Sequence, residues 1–189
     1  MTKNPLVKLI IIFVIVVVAD QWTKYLALAN LQLGLPVDVV GSYLRWTLAY
    51  NPGGAFGMRL GSSNAYLIIS IIIFIVLCVY IYQNRRVGFI AIPLTFVSGG
   101  AVGNIIDRVR FGEVVDFIDC EFPDISLAGY EMQRWPIFNV ADMAVSCGII
   151  TTILLILYQS RKEARQDAQI AGESDDTEVT SDAPKVSRD

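Results

Sequence analysis

The chain contains no histidine. That absence excludes imidazole as general base, proton shuttle or metal ligand, and with it every His-based triad and His-ligated metal centre. Cysteine is scarce as well. Cys78, Cys120 and Cys147 show no metal-ligand spacing and read as small buried residues rather than reactive thiols. Charge is the third shortage: 17% of the 189 residues are charged against 54% hydrophobic, and the mean hydropathy is +0.52. A soluble domain of this size is not so apolar, so an integral membrane protein is expected. The formal net charge of -3 says little as an average, because the charges gather at the ends and in the connections, and it suggests no nucleic-acid partner. Chemistry here has to use Asp, Glu, Lys, Ser or Cys, and no metal or other cofactor is expected.

Four apolar stretches are present, at about 6–28, 65–82, 87–106 and 137–158. Each is near the roughly 20 residues that a helix needs to cross the hydrocarbon core. The first, with Lys3 and Lys8 ahead of an unbroken apolar run, has the start of a secretory signal. No small-x-small cleavage site precedes a mature soluble domain, and the run continues through Asp20-Gln21-Trp22-Thr23-Lys24, so a retained span is expected. Lys3 and Lys8, Arg85 and Arg86, and Arg161, Lys162 and Arg165 flank the cytoplasmic candidates. The positive-inside rule then places both termini in the cytoplasm and two long connections, about 29–64 and 107–136, outside. In the first connection Leu44, Trp46, Leu48 and Tyr50 alternate with Tyr43, Arg45, Thr47 and Ala49, and Gly41-Ser42 separates them from Val37-Asp38-Val39-Val40. This predicts a hairpin and a small sheet on the membrane surface, ended by the turn residues Asn51-Pro52-Gly53-Gly54. Residues 1–162 read as one four-span domain, and 163–189 as a disordered acidic cytoplasmic tail.

Two aspartates stand out because neither context looks solvated. Asp116 lies in Val114-Val115-Asp116-Phe117-Ile118, and Asp142 in Phe138-Asn139-Val140-Ala141-Asp142-Met143-Ala144. An ionised carboxylate in a low-dielectric place is costly, so two brought together tend to share one proton, the working state of an aspartic protease. The intervening loop leaves and returns on one side. Asp142, about five residues into the last span, would lie roughly 7 to 8 Å below its start at about 1.5 Å per residue. The pair can therefore meet near the outer boundary. The plainer alternative makes Asp116 a capping or hairpin carboxylate and Asp142 a polar residue packed between helices.

Other residues compete or assist. Asp119 ends the same apolar run as Asp116 and remains a rival by spacing alone. Asp107, beside Arg108, reads as a local ion pair or a cap. Asp20 and Lys24, at i and i+4, face one side of the first span and can neutralise each other. A Ser-Lys dyad with Lys24 would have to recruit Ser42, Ser62, Ser63 or Ser126, none of them adjacent in sequence. Gly99 and Gly103 have the GxxxG spacing of close helix packing, and Asn51, Asn104 and Asn139 are amides near the outer boundary that need partners. A small transporter or proton relay using Asp20, Lys24, Asp116 and Asp142 is the main alternative to a protease, but a relay calls for charges in the cytoplasmic half as well. A noncatalytic scaffold would tolerate asparagine at either aspartate.

Five ordered blocks, Asp20-Gln21-x-x-Lys24, Asn51-x-Gly53-Gly54-Ala55-Phe56-Gly57, Gly99-Gly100-Ala101-x-Gly103-Asn104-x-x-Asp107-Arg108, Val114-Val115-Asp116-Phe117 and Phe138-Asn139-x-Ala141-Asp142, together resemble the bacterial lipoprotein signal peptidases, or signal peptidase II. The resemblance spans about residues 10–158. It implies a four-helix inner-membrane aspartic endopeptidase with an extracytoplasmic β-sheet cradle, which cleaves the signal peptide from diacylglyceryl-modified prolipoproteins just before the lipidated cysteine. On that likeness Asp116 and Asp142 are the catalytic pair, which decides against Asp119. Asn51, Gly54, Asn104, Arg108 and Asn139 match positions that orient the dyad or bind substrate, and Asp20 and Lys24 match a supporting polar pair. It further implies sensitivity to globomycin-type cyclic peptides; membrane lipid is the other expected partner, and a monomer the expected state. The segment 120–135 is longer than the compact form of this loop, and the acidic tail lies outside the shared core.

Overall fold

Helix α1 (Pro5–Asn30) begins where the Asn4 side chain accepts the Leu6 N–H at 3.0 Å, and Pro5 supplies a first-turn residue with no N–H left to satisfy. The computed structural model describes residues 4–53, 62–127 and 130–181, leaving the side chains of 122–127, 130–133 and 167–181 undescribed. Helices α2 (Ser63–Gln83), α3 (Gly88–Phe111) and α4 (Val140–Ser181) follow. Four helical segments, Pro5–Asn30, Ser63–Gln83, Gly88–Phe111 and Val140–Gln166, are long and apolar enough to cross a membrane. Many of their large apolar side chains point outward: Ile10, Ile15, Val18, Ile68, Ile72 and Val76 are more than half exposed. Water would not tolerate so much contiguous apolar surface, and lipid does. The same inversion corrects the reading of the cysteines, since Cys78 and Cys147 are exposed and only Cys120 is partly buried.

Helix α3 is the central helix, because small residues let its neighbours approach its backbone. A Cβ at Gly99 would come within 2.8 Å of the Val16 side chain on α1, one at Gly103 would overlap the Asp20 carboxylate, and one at Gly100 would overlap the Ala141 carbonyl of α4. The expected small-residue face thus serves two partners. A second apolar cluster, Leu9, Ile81 and Ala91, ties α1, α2 and α3 together at the other end of the bundle.

Strands β1 (Val37–Val40), β2 (Leu44–Asn51), β3 (Val114–Leu127) and β4 (Tyr130–Arg134) form an antiparallel sheet in the order β1-β2-β3-β4. The hairpin β1–β2 is the expected one. The strict alternation expected along β2 is not kept: the register with β3 shifts between Trp46 and Ala49, and Thr47 and Leu48 are both buried. Each has its own reason to point inward. Leu48 joins Ala27, Val115, Phe117 and Ile118 in the core beneath the sheet, while the Thr47 hydroxyl donates to Asp119 at 2.8 Å.

Two helix boundaries differ from expectation, and both affect the site. Helix α3 runs to Phe111, where Gly112 takes the left-handed φ of 77° that a non-glycine residue adopts at a cost. Asp107 and Arg108 therefore stand on the helix rather than in a connection beginning at 107. Helix α4 starts at Val140 rather than at 137, because Phe138 is still exchanging backbone hydrogen bonds with Ile118, at 3.0 and 2.8 Å. Residues through Thr152 make one compact unit. The second unit, from Ile153, is helical to Ser181, which includes much of the segment read as a solvated tail. Glu163, Ala164, Arg165 and Gln166 are good helix formers, so high charge there does not preclude a helical backbone.

Candidate active site

Asn139 stands at the start of α4 and determines much of the geometry around it. Its side-chain oxygen accepts the Asp142 N–H at 2.9 Å, and Asp142 Oδ2 accepts the Asn139 N–H at 3.2 Å, a reciprocal cap on the first turn. Asp142 is therefore in the first turn of α4, shallower than the depth expected of it. Its other oxygen, Oδ1, accepts the Asn104 amide of α3 at 2.9 Å. Asp116 comes from β3, paired opposite Ala49 of β2, and is buried. Its Oδ1 accepts the Asn139 amide at 2.7 Å and its Oδ2 the Asn51 amide at 3.1 Å. Asn139 thus holds both aspartates: its amide nitrogen donates to the Asp116 carboxylate, its backbone N–H donates to the Asp142 carboxylate, and its oxygen accepts the Asp142 backbone N–H. All three amides that needed partners have them.

Burial, and then the Asp142 carboxylate nearby, push the Asp116 carboxyl up to about 7, against the opposing pull of the Asn51 and Asn139 amides and of Lys24. A carboxyl in that condition exchanges a proton near neutral pH. Asp119, the rival by spacing, is otherwise engaged: Arg134 Nε donates to its Oδ1 at 2.7 Å and Thr47 to its Oδ2. Three positions along a strand from Asp116, it falls on the opposite face.

Asp107 does not pair with Arg108, which corrects the local ion pair expected there. Its Oδ2 lies 2.7 Å from Lys24 Nζ and accepts the Val115 N–H at 3.0 Å, and its Oδ1 accepts the Gln21 amide at 3.0 Å. Lys24 also meets Asp20 at 2.9 Å, as their spacing predicts, and donates to Asn104 Oδ1 at 2.9 Å. Neither Asp107 nor Gln21 was singled out as a site residue. A signal was available for Asp107, since it follows Gly103 by four residues and so faces α1 where the two helices touch. Arg108 turns the other way, donating to the Gly53 carbonyl at 2.9 Å, while its buried Nε finds no partner among the described residues. Gly54, expected at the site, lies outside the described residues.

A cavity of about 630 Å³ opens beside Asp142. Asp142, Asn104, Arg108 and Asn51 line its polar end, Trp135 and Phe138 border it from the segment before α4, and Tyr66, Ile73, Val97 and Ile149 carry it down between α2, α3 and α4. One end can hold a polar backbone, and the rest suits an apolar guest.

The membrane-spanning bundle, its small sheet and the buried polar cluster between them place the chain in the class of multi-pass membrane enzymes. Two solved structures, each titled as a bacterial membrane enzyme determined by the in meso method, match it: one at 2.3 Å resolution with a TM-score of 0.66 and 36% identity, covering 81% of this chain and 89% of that one, the other at 1.9 Å with a TM-score of 0.64 and 37% identity, covering 79% and 92%. The family model for signal peptidase (SPase) II matches residues 12–158, and the chain belongs to that family of proteases. Among its relatives are the lipoprotein signal peptidases of Moorella thermoacetica, 32% identical over 83% of this chain and 97% of that protein, of Chlorobium phaeobacteroides, 37% over 77% and 86%, and of Staphylococcus aureus strain MRSA252, 34% over 85% and 94%.

Proposed function

We propose that this protein is an aspartic endopeptidase that removes the signal peptide from diacylglyceryl-modified prolipoproteins, cutting before the lipidated cysteine, with Asp116 and Asp142 as the catalytic pair. The observation that carries the reading is the convergence of these two aspartates on Asn139, each carboxylate held by amides, with Asp142 lining the cavity. In the resting pair the shared proton sits on Asp116. The Asp142 carboxylate takes a proton from the attacking water while Asp116 gives its proton to the peptide carbonyl oxygen, forming a neutral gem-diol. On collapse, Asp142 passes its proton to the leaving amide nitrogen, Asp116 recovers one from the diol, and the C–N bond breaks. Arg108 and Asn51, at the polar end of the cavity, bind and orient the substrate backbone, and Gly54 is assigned to the same binding edge by its place in the shared motif.

The depth of the site suits such a substrate. Trp22 and Tyr25, both exposed and in tilted contact at 5.9 Å between ring centres, mark the α1 surface level with Asp20 and Lys24, and such aromatics favour the boundary of the bilayer. A substrate with an apolar helix and acyl chains, each buried methylene worth roughly 0.8 kcal/mol, does not leave the bilayer cheaply, so its bond has to be met at that boundary. With basic residues flanking the opposite ends of the spans, the active site faces away from the cytoplasm of a bacterial inner membrane and both termini lie within it. A proton relay is disfavoured, since residues 9–19, 65–83, 88–106 and 143–160 contain no Asp, Glu, Lys or Arg to continue a path.

The test is processing of a diacylglyceryl prolipoprotein by the purified protein in liposomes, with Asp116→Asn and Asp142→Asn alongside. Wild type is expected to release the signal peptide, and both variants to lose at least a thousandfold in rate. An intact precursor with wild type, or processing by either variant at the wild-type rate, overturns the assignment.

A further inference from the structure

Behind the carboxylate pair lies a second polar cluster, almost wholly buried, that the reaction does not touch. Lys24 on α1 is 2% exposed, Asp20 on α1 is fully buried and Asp107 on α3 is 1% exposed. Burying three charges is expensive, and an ion pair in such a place is poor evidence of a stability gain, so the arrangement calls for another reason. Its hydrogen bonds give one. Asp20 Oδ1 accepts the N–H of Ala141 at 2.8 Å, the backbone donor immediately before Asp142. Asp107 Oδ2 accepts the N–H of Val115 at 3.0 Å, the backbone donor immediately before Asp116. Lys24 Nζ lies between the two carboxylates, 2.9 Å from Asp20 and 2.7 Å from Asp107.

Resting on the catalytic assignment above, we infer that Asp20, Lys24 and Asp107 form a buried clamp that sets the separation and orientation of Asp116 and Asp142, with Asp107 the previously unassigned positioning residue. Each outer member of the clamp grips the main chain one residue ahead of a catalytic aspartate, and the lysine joins the two grips. Helix α4 and strand β3 meet at the site through the bridge between Ile118 and Phe138 and the amide of Asn139. Gln21 completes the cluster, its amide donating to Asp107, to Asp20 at 3.2 Å and to the Gly103 carbonyl at 3.1 Å.

Lys24 has a second effect on the pair. An ammonium has only donors, so the atom of Asn104 it meets has to be the amide oxygen. Asn139 Nδ2 donates to that same oxygen at 3.1 Å. With the oxygen claimed by two donors, the Asn104 nitrogen is turned toward Asp142, where it donates at 2.9 Å. Without Lys24 one of the two claims on that oxygen is lost, and the orientation of the amide rests on Asn139 alone.

The experiment compares Asp107→Ala, Asp107→Asn, Asp20→Asn and Lys24→Met with wild type and Asp116→Asn, measuring kcat and KM on a diacylglyceryl prolipoprotein in liposomes and thermal unfolding in detergent. Asp107→Ala is expected to lower kcat at least thirtyfold with KM within twofold. Asp107→Asn, which keeps an oxygen for the Val115 N–H, is expected to retain part of that loss as activity. Lys24→Met is expected to lower kcat at least tenfold. A loss confined to KM, or Asp107→Asn no better than Asp107→Ala, overturns the clamp. If Asp107→Ala does not fold, Asp107→Asn and Asp20→Asn decide: both at wild-type kcat also overturn it. Failure of the catalytic assignment looks different, because there Asp116→Asn would process the substrate whatever the clamp variants do.

Discussion

Asp116 shows how one residue can be costly to the fold and, on the proposed assignment, useful to the reaction. Because its carboxyl is raised from 3.8 to about 7 in the folded protein, the folded state holds a proton that the unfolded state releases, and the protein loses stability as pH rises from about 4 to about 7. Asp116→Asn removes that penalty. Its melting temperature relative to wild type is therefore expected to climb across the same pH window, measured by thermal shift in detergent, while its activity is expected to be lost. The catalytic pH profile should fall on the alkaline side with a midpoint near 7, where the pair loses its proton. Asn139 is the other residue on which both carboxylates depend. Asn139→Ala removes the amide on Asp116 and the helix cap at Asp142 together, and is expected to lower kcat at least a hundredfold and stability by about 1 to 3 kcal/mol, read from activity assays and chemical unfolding.

At the scale of elements, the site exists because α1 and α4 approach α3 closely at its glycines. Gly103 makes room for the Asp20 carboxylate, and Gly100 for the first turn of α4. Alanine at either position inserts a methyl group where an oxygen already sits, so Gly103→Ala and Gly100→Ala are each expected to lower the melting temperature by several degrees and to cut activity, Gly103→Ala through displacement of the clamp. Gly88→Ala is the control. Its nearest neighbour would be a side-chain carbon at 4.0 Å, and it should behave as wild type in both measurements. The sheet contributes in a different way. Arg134, through Asp119 and the Ser42 carbonyl at 3.0 Å, fastens β4 to β3 and to the β1–β2 turn, which holds the chain taut just before Trp135 enters the cavity wall.

For the whole molecule, the bundle presents lipid-compatible side chains around a polar pocket at one end, so the enzyme recognises a guest that is itself mostly in the membrane. Reporter fusions that work only in the cytoplasm should be active after Arg86 and after Gln166 and inactive when placed at Leu35. Removing residues 167–189 is expected to leave processing in liposomes within twofold of wild type, because everything placed at the site lies before Thr152.

The four spans, the first hairpin and the two principal aspartates were legible in the order of residues, because hydropathy over twenty residues, alternation with turn chemistry and a carboxylate in an apolar run are local signals. Strand β4, the shift of register in β2, the engagement of Asp119 by Thr47 and Arg134, and the pairing of Asp107 with Lys24 rather than with Arg108 were not. Each depends on which distant segment lies alongside. By itself the sequence determined a membrane bundle carrying acidic residues at one end. Only the tertiary structure decided which carboxylates share a partner, because a hydrogen bond between residues eighty or more positions apart, such as Gln21 with Asp107, is specified by helix packing at the glycines and leaves no trace in local spacing.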